Sequence, residues 1–153
     1  MRRFICAFLV CAVIQGCIAP PVKAAQVPGE NVIQLEDLEW EWVDISAVEQ
    51  WEDGIAPATI DSVNKTMSKH SMGVVVPSRF FEANSIVTFD CSYSPPSASM
   101  DFGVITSSGR FYNVNAREGS INQAIRISQS GSYSVAIRNN SAQNVTVIGT
   151  VSY

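Results

Sequence analysis

Few residues of this chain have side chains suited to nucleophilic chemistry. A nucleophilic site needs a base beside the nucleophile, and the candidates are His70, the one histidine, and the thiol of Cys91. His70 lies in the polar run TMSKHSMG and is expected at the surface. Cys91 ends the run IVTFDC and is expected to be a small strand residue. The sequence therefore predicts no cysteine–histidine catalytic pair.

Three carboxylates, Asp90, Asp101 and Glu118, are candidates for a calcium site or for the acid pair of a glycosidase. They fall on different predicted strands and loops, not in one loop of alternating acids. The sequence also has no CxxC, no HExxH and no glycine-rich phosphate loop. No metal or cofactor is expected. A carboxylate-dependent hydrolase of cell-wall or extracellular glycan is the alternative functional hypothesis.

Three tryptophans lie in the acidic run LEDLEWEWVDISAVEQWEDG: Trp40, Trp42 and Trp51. The simpler interpretation is that they pack onto a sheet and bury large areas. The other is an exposed aromatic strip that binds a sugar or a protein, because acids beside tryptophans are a common carbohydrate-binding arrangement. These three residues are the predicted binding site.

The N-terminus has the composition of an export signal. Arg2 and Arg3 precede an apolar run over 4–14, and small residues suited to signal peptidase follow near Ala24 and Ala25, which predicts a signal peptide over 1–25. The run Ile14-Gln15-Gly16-Cys17 also resembles a bacterial lipobox, in which Cys17 would be lipidated. Cleavage by signal peptidase and lipidation at Cys17 both remain open. The protein is therefore expected to be secreted or held at the extracellular face of the cell membrane.

Charge is unevenly distributed along the chain. Loss of Arg2, Arg3 and Lys23 takes the formal charge from −4 to −7, and residues 30–61 contain ten acids and no Lys or Arg. This balance argues against nucleic acid and against an anionic membrane as partners. Membrane contact is expected only through a lipid at Cys17. The acidic segment is expected to contact four basic residues, in cis or between chains: Arg110, Arg117, Arg126 and Arg138.

The remaining pattern is one of strands. Residues 26–64 are predicted to form an acidic segment and linker. Within it, a short helix is predicted over 45–52 after an extended piece. Short alternating runs separated by turn residues then predict an all-β domain over 65–153, an antiparallel β-sandwich or jelly roll of about seven strands. The predicted strands cover 65–76, 86–91, 101–106, 110–115, 121–128, 132–139 and 144–153.

Several of these runs resemble known proteins. DFGVITSSGRFYNVN, SINQAIRIS, SGSYSVAIRNNS and VTVIGTVSY look like segments of small secreted or cell-surface proteins of Gram-positive bacteria that have no established function. The alternation G-x-Y-x-V-x-I-x-N followed by V-x-V-x-G-x-V-x-Y is similar to bacterial pre-peptidase C-terminal and GOLD-type β-sandwiches. That resemblance implies an interaction or targeting module. Asp101 stands alone where the pre-peptidase pattern often has closely spaced acids, which weakens any calcium role.

The sequence therefore predicts an exported, non-enzymatic binding module at the bacterial cell envelope. Its partner is expected to be a protein or a glycan. The choice between them, the strand topology and the oligomeric state are left open by the sequence.

Overall fold

The computed structural model describes residues 31–51 and 60–153, so the predicted signal peptide over 1–25 and the lipobox residue Cys17 lie outside the described residues. The described residues form an all-β fold, which confirms the predicted class. The strands are β1 (Val32–Gln34), β2 (Glu39–Trp42), β3 (Glu49–Gln50), β4 (Ile60–Met67), β5 (Met72–Phe81), β6 (Ile86–Ser94), β7 (Met100–Thr106), β8 (Arg110–Ala116), β9 (Ser120–Arg126), β10 (Gly131–Asn139) and β11 (Val145–Ser152).

These strands form two sheets. The first sheet has five strands in the order β1-β9-β6-β11-β4, and the second has six in the order β2-β8-β7-β10-β5-β3. The long strands pair antiparallel, whereas β1 pairs with β9 and β3 pairs with β5 in parallel. Both sheets are therefore mixed, and the prediction of a purely antiparallel arrangement is corrected by these two short strands.

The two sheets share one hydrophobic core and are sandwich-like. Alternating residues of both sheets enter the same buried cluster. The Phe102 ring of β7 lies 5.7 Å from that of Phe89 and 6.2 Å from that of Tyr93, both on β6 of the other sheet. Each fully buried phenylalanine of this kind contributes about 1.5–3 kcal/mol to folding.

The acidic N-terminal segment is part of this fold. It supplies β1 to the first sheet and both edge strands, β2 and β3, to the second. Residues 43–48 join these opposite edges and cross the outer face of the second sheet, where Val43 and Val48 pack on a second cluster containing Ile105 and Phe111. We call residues 43–48 the crossing segment.

The crossing segment contains no α-helix. The helix predicted over 45–52 is replaced by one 3₁₀ turn, Ile45–Ala47, and then by β3. The Asp44 carboxylate begins the turn by accepting a hydrogen bond from the Ser46 backbone N–H at 3.0 Å. Sequence periodicity suggested a helix, but the backbone is held instead by sheet partners at both ends, which include the bond from Val43 N–H to the Gly109 carbonyl at 2.9 Å.

Six of the seven predicted strands are confirmed, as β6 to β11, within a few residues at their ends. The strand predicted over 65–76 is wrong as a single element, because it is divided between β4 and β5 by a turn at 68–71. In that turn Ser71 donates to the Ser68 carbonyl at 2.7 Å, and His70 has a positive φ of 53°. Residues 60–64, which the sequence placed in a linker, are the first half of β4.

Candidate binding site at the β2–β8 edge

Two of the three tryptophans lie side by side on edge strand β2. The register pairs Trp40 with Tyr112 and Trp42 with Arg110 on β8, and residues paired across a ladder share a face of the sheet. The Arg110 guanidinium carbon lies 4.7 Å from the centre of the Trp40 ring and 5.3 Å from that of Trp42. The two indoles meet edge to face, with 5.6 Å between their ring centres. We call Trp40, Trp42, Arg110 and Tyr112 the aromatic face.

The aromatic face keeps large apolar side chains in contact with water. Trp40 is 45% exposed and Trp42 is 62% exposed. A cation over an indole is worth about 0.5–1 kcal/mol at an exposed site, so Arg110 favours the observed orientation of both rings without burying them. Exposed aromatic groups held in one orientation are characteristic of binding surfaces, because little side-chain entropy remains to be lost on binding.

Trp51 does not belong to the aromatic face. It is 8% exposed and lies in the main core, beside Val63 of β4 and Val75 of β5. A Cβ atom at Gly73 would lie 2.2 Å from Cε2 of this indole, so the absence of a side chain at residue 73 makes room for the ring. The predicted set of three tryptophans thus consists of two exposed residues and one core residue.

A cleft with a volume of about 270 Å³ continues from the aromatic face, since Arg110 and Tyr112 belong to both. Five of its lining residues carry hydroxyl groups, and Leu35 and Gln129 complete the wall together with the charged pair Glu36 and Arg110. A hydrogen bond with Ser128 lowers the pKa of the exposed Glu36 carboxyl, so this acid is held ionised at the rim. The hydroxyl-bearing residues are Thr106, Ser108, Tyr112, Ser128 and Tyr133.

On the opposite face of the same sheet, an ionic network holds β2 in place. Arg138 on β10 pairs with Glu41 of β2 and with Asp101 of β7. Burial disfavours the charge of Arg138, but the hydrogen bonds and charges of Glu41 and Asp101 outweigh this and raise the pKa of Arg138 above its ordinary value. Because Glu41 lies between the two tryptophans in sequence, this network fixes the strand that carries them.

The expected contact between the acidic segment and the basic residues is confirmed for Arg138, through Glu41. Arg110 contacts the same segment through the indole rings of Trp40 and Trp42. Arg126 is paired with Gln34 in the parallel backbone ladder between β9 and β1, so its contact with the segment is through the main chain. Arg117 instead donates to the Asn115 side chain at 2.7 Å.

The three candidate carboxylates have different environments. Asp90 and Glu118 are exposed, on β6 and in the turn before β9. Asp101 is 3% exposed and accepts from the side chains of Asn115 at 2.6 Å and Asn140 at 2.7 Å, in addition to Arg138. None of the three lines the cleft. Within residues 31–51 and 60–153, no three His, Cys, Asp or Glu side chains are grouped so as to hold a metal ion.

Cys91 and His70 are placed as the sequence predicted. Cys91 is a buried free thiol on β6 that donates to the Thr150 carbonyl at 3.6 Å, and His70 is exposed in the turn at 68–71. Burial, with the nearby Asp90 charge, raises the pKa of the Cys91 thiol from 9.0 to about 11. Because the thiolate is the reactive form of cysteine, this environment opposes a nucleophilic role for Cys91.

The raised pKa of Cys91 predicts a loss of stability in alkali. Between pH 9 and pH 11 the unfolded thiol ionises while the folded one keeps its proton, so the stabilising contribution is full below this range and is lost across it. Over that range the wild type should lose about 2–3 kcal/mol more than the Cys91→Ala variant. Urea unfolding of both proteins at several pH values measures this difference, and parallel curves would refute the assignment.

No family model, curated protein or solved structure matches this chain. In the described part of the chain, no helix has the length and apolar character needed to cross a membrane.

The sequence predicts Trp40 and Trp42 as binding residues, but it does not predict the cleft beside them. Tyr112, Leu35 and Ser128 come from three separate elements, and their approach depends on how the sheets are assembled. One signal was available in the run Arg110-Phe111-Tyr112, because alternation places Arg110 and Tyr112 on the same face of a strand.

Proposed function

We propose that this chain is an exported, non-enzymatic binding module of the bacterial cell envelope, and that the aromatic face is its binding surface. The observation that carries the proposal is the pair of exposed tryptophans, oriented by Arg110 on a strand that the Glu41–Arg138 ion pair anchors. A module built only for stability would gain more by burying these rings.

The environments of the candidate catalytic groups support a non-enzymatic role. The Asp101 carboxylate is committed to three side-chain donors in the interior, and the Cys91 thiol has a raised pKa. The strand pattern of residues 131–153, which resembles that of interaction and targeting modules, also supports a non-enzymatic role.

Export is proposed from the N-terminal sequence, through the signal peptide over 1–25 with cleavage near Ala24 or through lipidation at Cys17. Mass spectrometry of the N-terminus of the protein isolated from secreting cells distinguishes cleavage near Ala24 from lipidation at Cys17. A mature chain that starts at residue 25 or 26 indicates secretion, and a diacylated peptide that starts at Cys17 indicates a lipoprotein. A chain that retains Met1 would contradict export by either route.

Replacement of Trp42 by alanine should weaken binding of the exported protein to a purified cell-envelope preparation by at least about tenfold, since a central exposed aromatic residue often contributes more than 1.4 kcal/mol. Co-sedimentation at increasing envelope concentration measures this loss. Phe80→Ala is the matched control, because Phe80 is equally exposed but lies on β5, outside the aromatic face. Equal binding by wild type and Trp42→Ala, or release of cleaved glycan on incubation, would contradict the proposal.

A further inference from the structure

We propose that the cleft and the aromatic face form one elongated site for a neutral oligosaccharide, with one sugar ring in the cleft and the next ring on the indoles. This inference rests on the proposed binding function and adds to it the chemical class of the ligand and its arrangement in the site.

The two parts are continuous. Arg110 and Tyr112 line the cleft and also contact Trp40, whose ring centre is 6.4 Å from that of Tyr112 and 4.7 Å from the guanidinium carbon of Arg110. The ring centre of Trp42 lies 5.6 Å from that of Trp40. A ligand that leaves the cleft past Tyr112 therefore meets two indoles in succession, which suits a linear chain of repeated rings.

The chemistry of the cleft fits a polyhydroxylated ligand. Thr106 and Ser108 hydrogen-bond to each other at 2.9 Å, the Tyr133 hydroxyl donates to the Gln129 carbonyl at 2.9 Å, and Ser128 bonds to Glu36. Each of these hydroxyls keeps further acceptor or donor capacity, and the Tyr112 hydroxyl and the Gln129 amide add donors and acceptors, as a sugar does. The single positive group, Arg110, is matched by the ionised carboxylate of Glu36. A cleft with balanced charges gives no net attraction to an anion or a cation, so a neutral ligand is favoured.

The size of the cleft fits one ring. Its volume of about 270 Å³ lies just below the range of about 300–1,000 Å³ that is typical of pockets for drug-sized ligands. Longer ligands must continue outside, past Trp42, which is 62% exposed and offers the part of its indole that Arg110 does not cover. The C–H face of a pyranose ring carries partial positive charge and packs against the negative face of an aromatic ring. The aromatic face therefore serves as a second subsite.

An extended peptide is the competing ligand class. Val43 N–H bonds to the carbonyl of Gly109, the residue before β8. By the alternation of an antiparallel ladder, the backbone groups of Glu41 and Glu39 therefore point to β8, and those of Trp40 and Trp42 point away. A peptide strand added there would use these free backbone groups and the indoles, but it would not need the hydroxyls of the cleft. The two ligand classes thus differ in their dependence on the cleft.

The test is calorimetric titration of the exported protein with two neutral series, β-1,4-linked oligomers of N-acetylglucosamine and of glucose, each from one to four units. At least one series should bind, and its tetramer should bind about tenfold or more tightly than its monomer. Trp42→Ala should bring the tetramer close to the affinity of the monomer and leave the monomer unchanged. Tyr112→Phe, which removes only a hydroxyl, should weaken every length about threefold to tenfold.

Two further variants complete this test. Ser108→Ala should repeat the effect of Tyr112→Phe, so a folding defect in one variant does not decide the result. Thr150→Val is the matched control, since Thr150 is an exposed hydroxyl residue on β11 of the other sheet. Failure of both series to bind would overturn the glycan assignment, as would wild-type binding by Tyr112→Phe and Ser108→Ala. If envelope binding still depended on Trp42 and disappeared after protease treatment of the envelope, the ligand would be a protein and the proposed function would stand.

Discussion

Replacing Trp51 by alanine is expected to lower the free energy of unfolding by about 3–5 kcal/mol, the usual cost of removing a large aromatic side chain from a core. The indole is 8% exposed and fills the space beside Val63 and Val75, where an edge of one sheet approaches an edge of the other. Removing it leaves a cavity that the close-packed strands cannot fill by collapsing. Denaturant unfolding followed by far-UV circular dichroism measures the loss.

Trp42→Ala is the control for Trp51→Ala, and it should change the free energy of unfolding by less than about 0.5–1 kcal/mol. A second check uses Gly73, whose missing side chain makes room for the indole. Gly73→Ala should be strongly destabilising in the wild type but much less so in the Trp51→Ala background, because the methyl group then enters the cavity. Equal destabilisation by Trp51→Ala and Trp42→Ala would show that Trp51 is not the core residue.

The second large effect is expected for Asp101→Ala, which should cost about 3 kcal/mol. The carboxylate is 3% exposed and accepts hydrogen bonds from Arg138 at 3.0 Å, Asn115 at 2.6 Å and Asn140 at 2.7 Å. Its removal leaves a half-buried guanidinium with Glu41 as its remaining acidic partner in the network. The Asn140 amide also loses this acceptor, whereas Asn115 keeps Ser99 and the Met100 carbonyl. We expect most of the cost to come from the guanidinium charge left with one acidic partner, here called the stranded charge, and less from the lost attraction.

A double-mutant cycle separates these contributions. If the stranded charge dominates, Asp101→Ala combined with Arg138→Met should be less destabilising than the sum of the two single changes, by at least about 1 kcal/mol. The double variant also detaches Glu41, so envelope binding through the aromatic face should weaken even where the fold survives. Additive effects of the two changes would contradict a coupled network.

Local alternation was sufficient to predict most of the sheets. In residues 86–153 each strand carries its own period-two pattern, such as Tyr133, Val135 and Ile137 on one side, and is bounded by turn residues such as Gly109, whose φ is +89°. The short strands β1 and β3 have no such pattern. They exist because a longer neighbour supplies the hydrogen bonds, and that pairing depends on the assembled fold.

The candidate site was predictable only in part, for the same reason. Trp40 and Trp42 alternate with Glu39 and Glu41, which correctly suggested an extended strand with a tryptophan side. Sequence could not separate these residues from Trp51, because burial depends on what lies opposite: Arg110 and open solvent in one case, Gly73 and the core in the other. The cleft draws on residues from 35 to 133, and the alternation of Arg110 and Tyr112 indicates only one wall of it.

The most direct test of the binding surface is nuclear magnetic resonance of the three indole N–H groups in protein labelled with nitrogen-15 at tryptophan. On titration with solubilised cell-envelope glycan and protein fractions, the signals of Trp40 and Trp42 should shift or broaden while that of Trp51 stays in place. Assignment by single substitution at Trp40 and Trp42 identifies each peak. A fraction that binds the protein without moving the Trp40 and Trp42 signals would contradict the aromatic face as the binding surface.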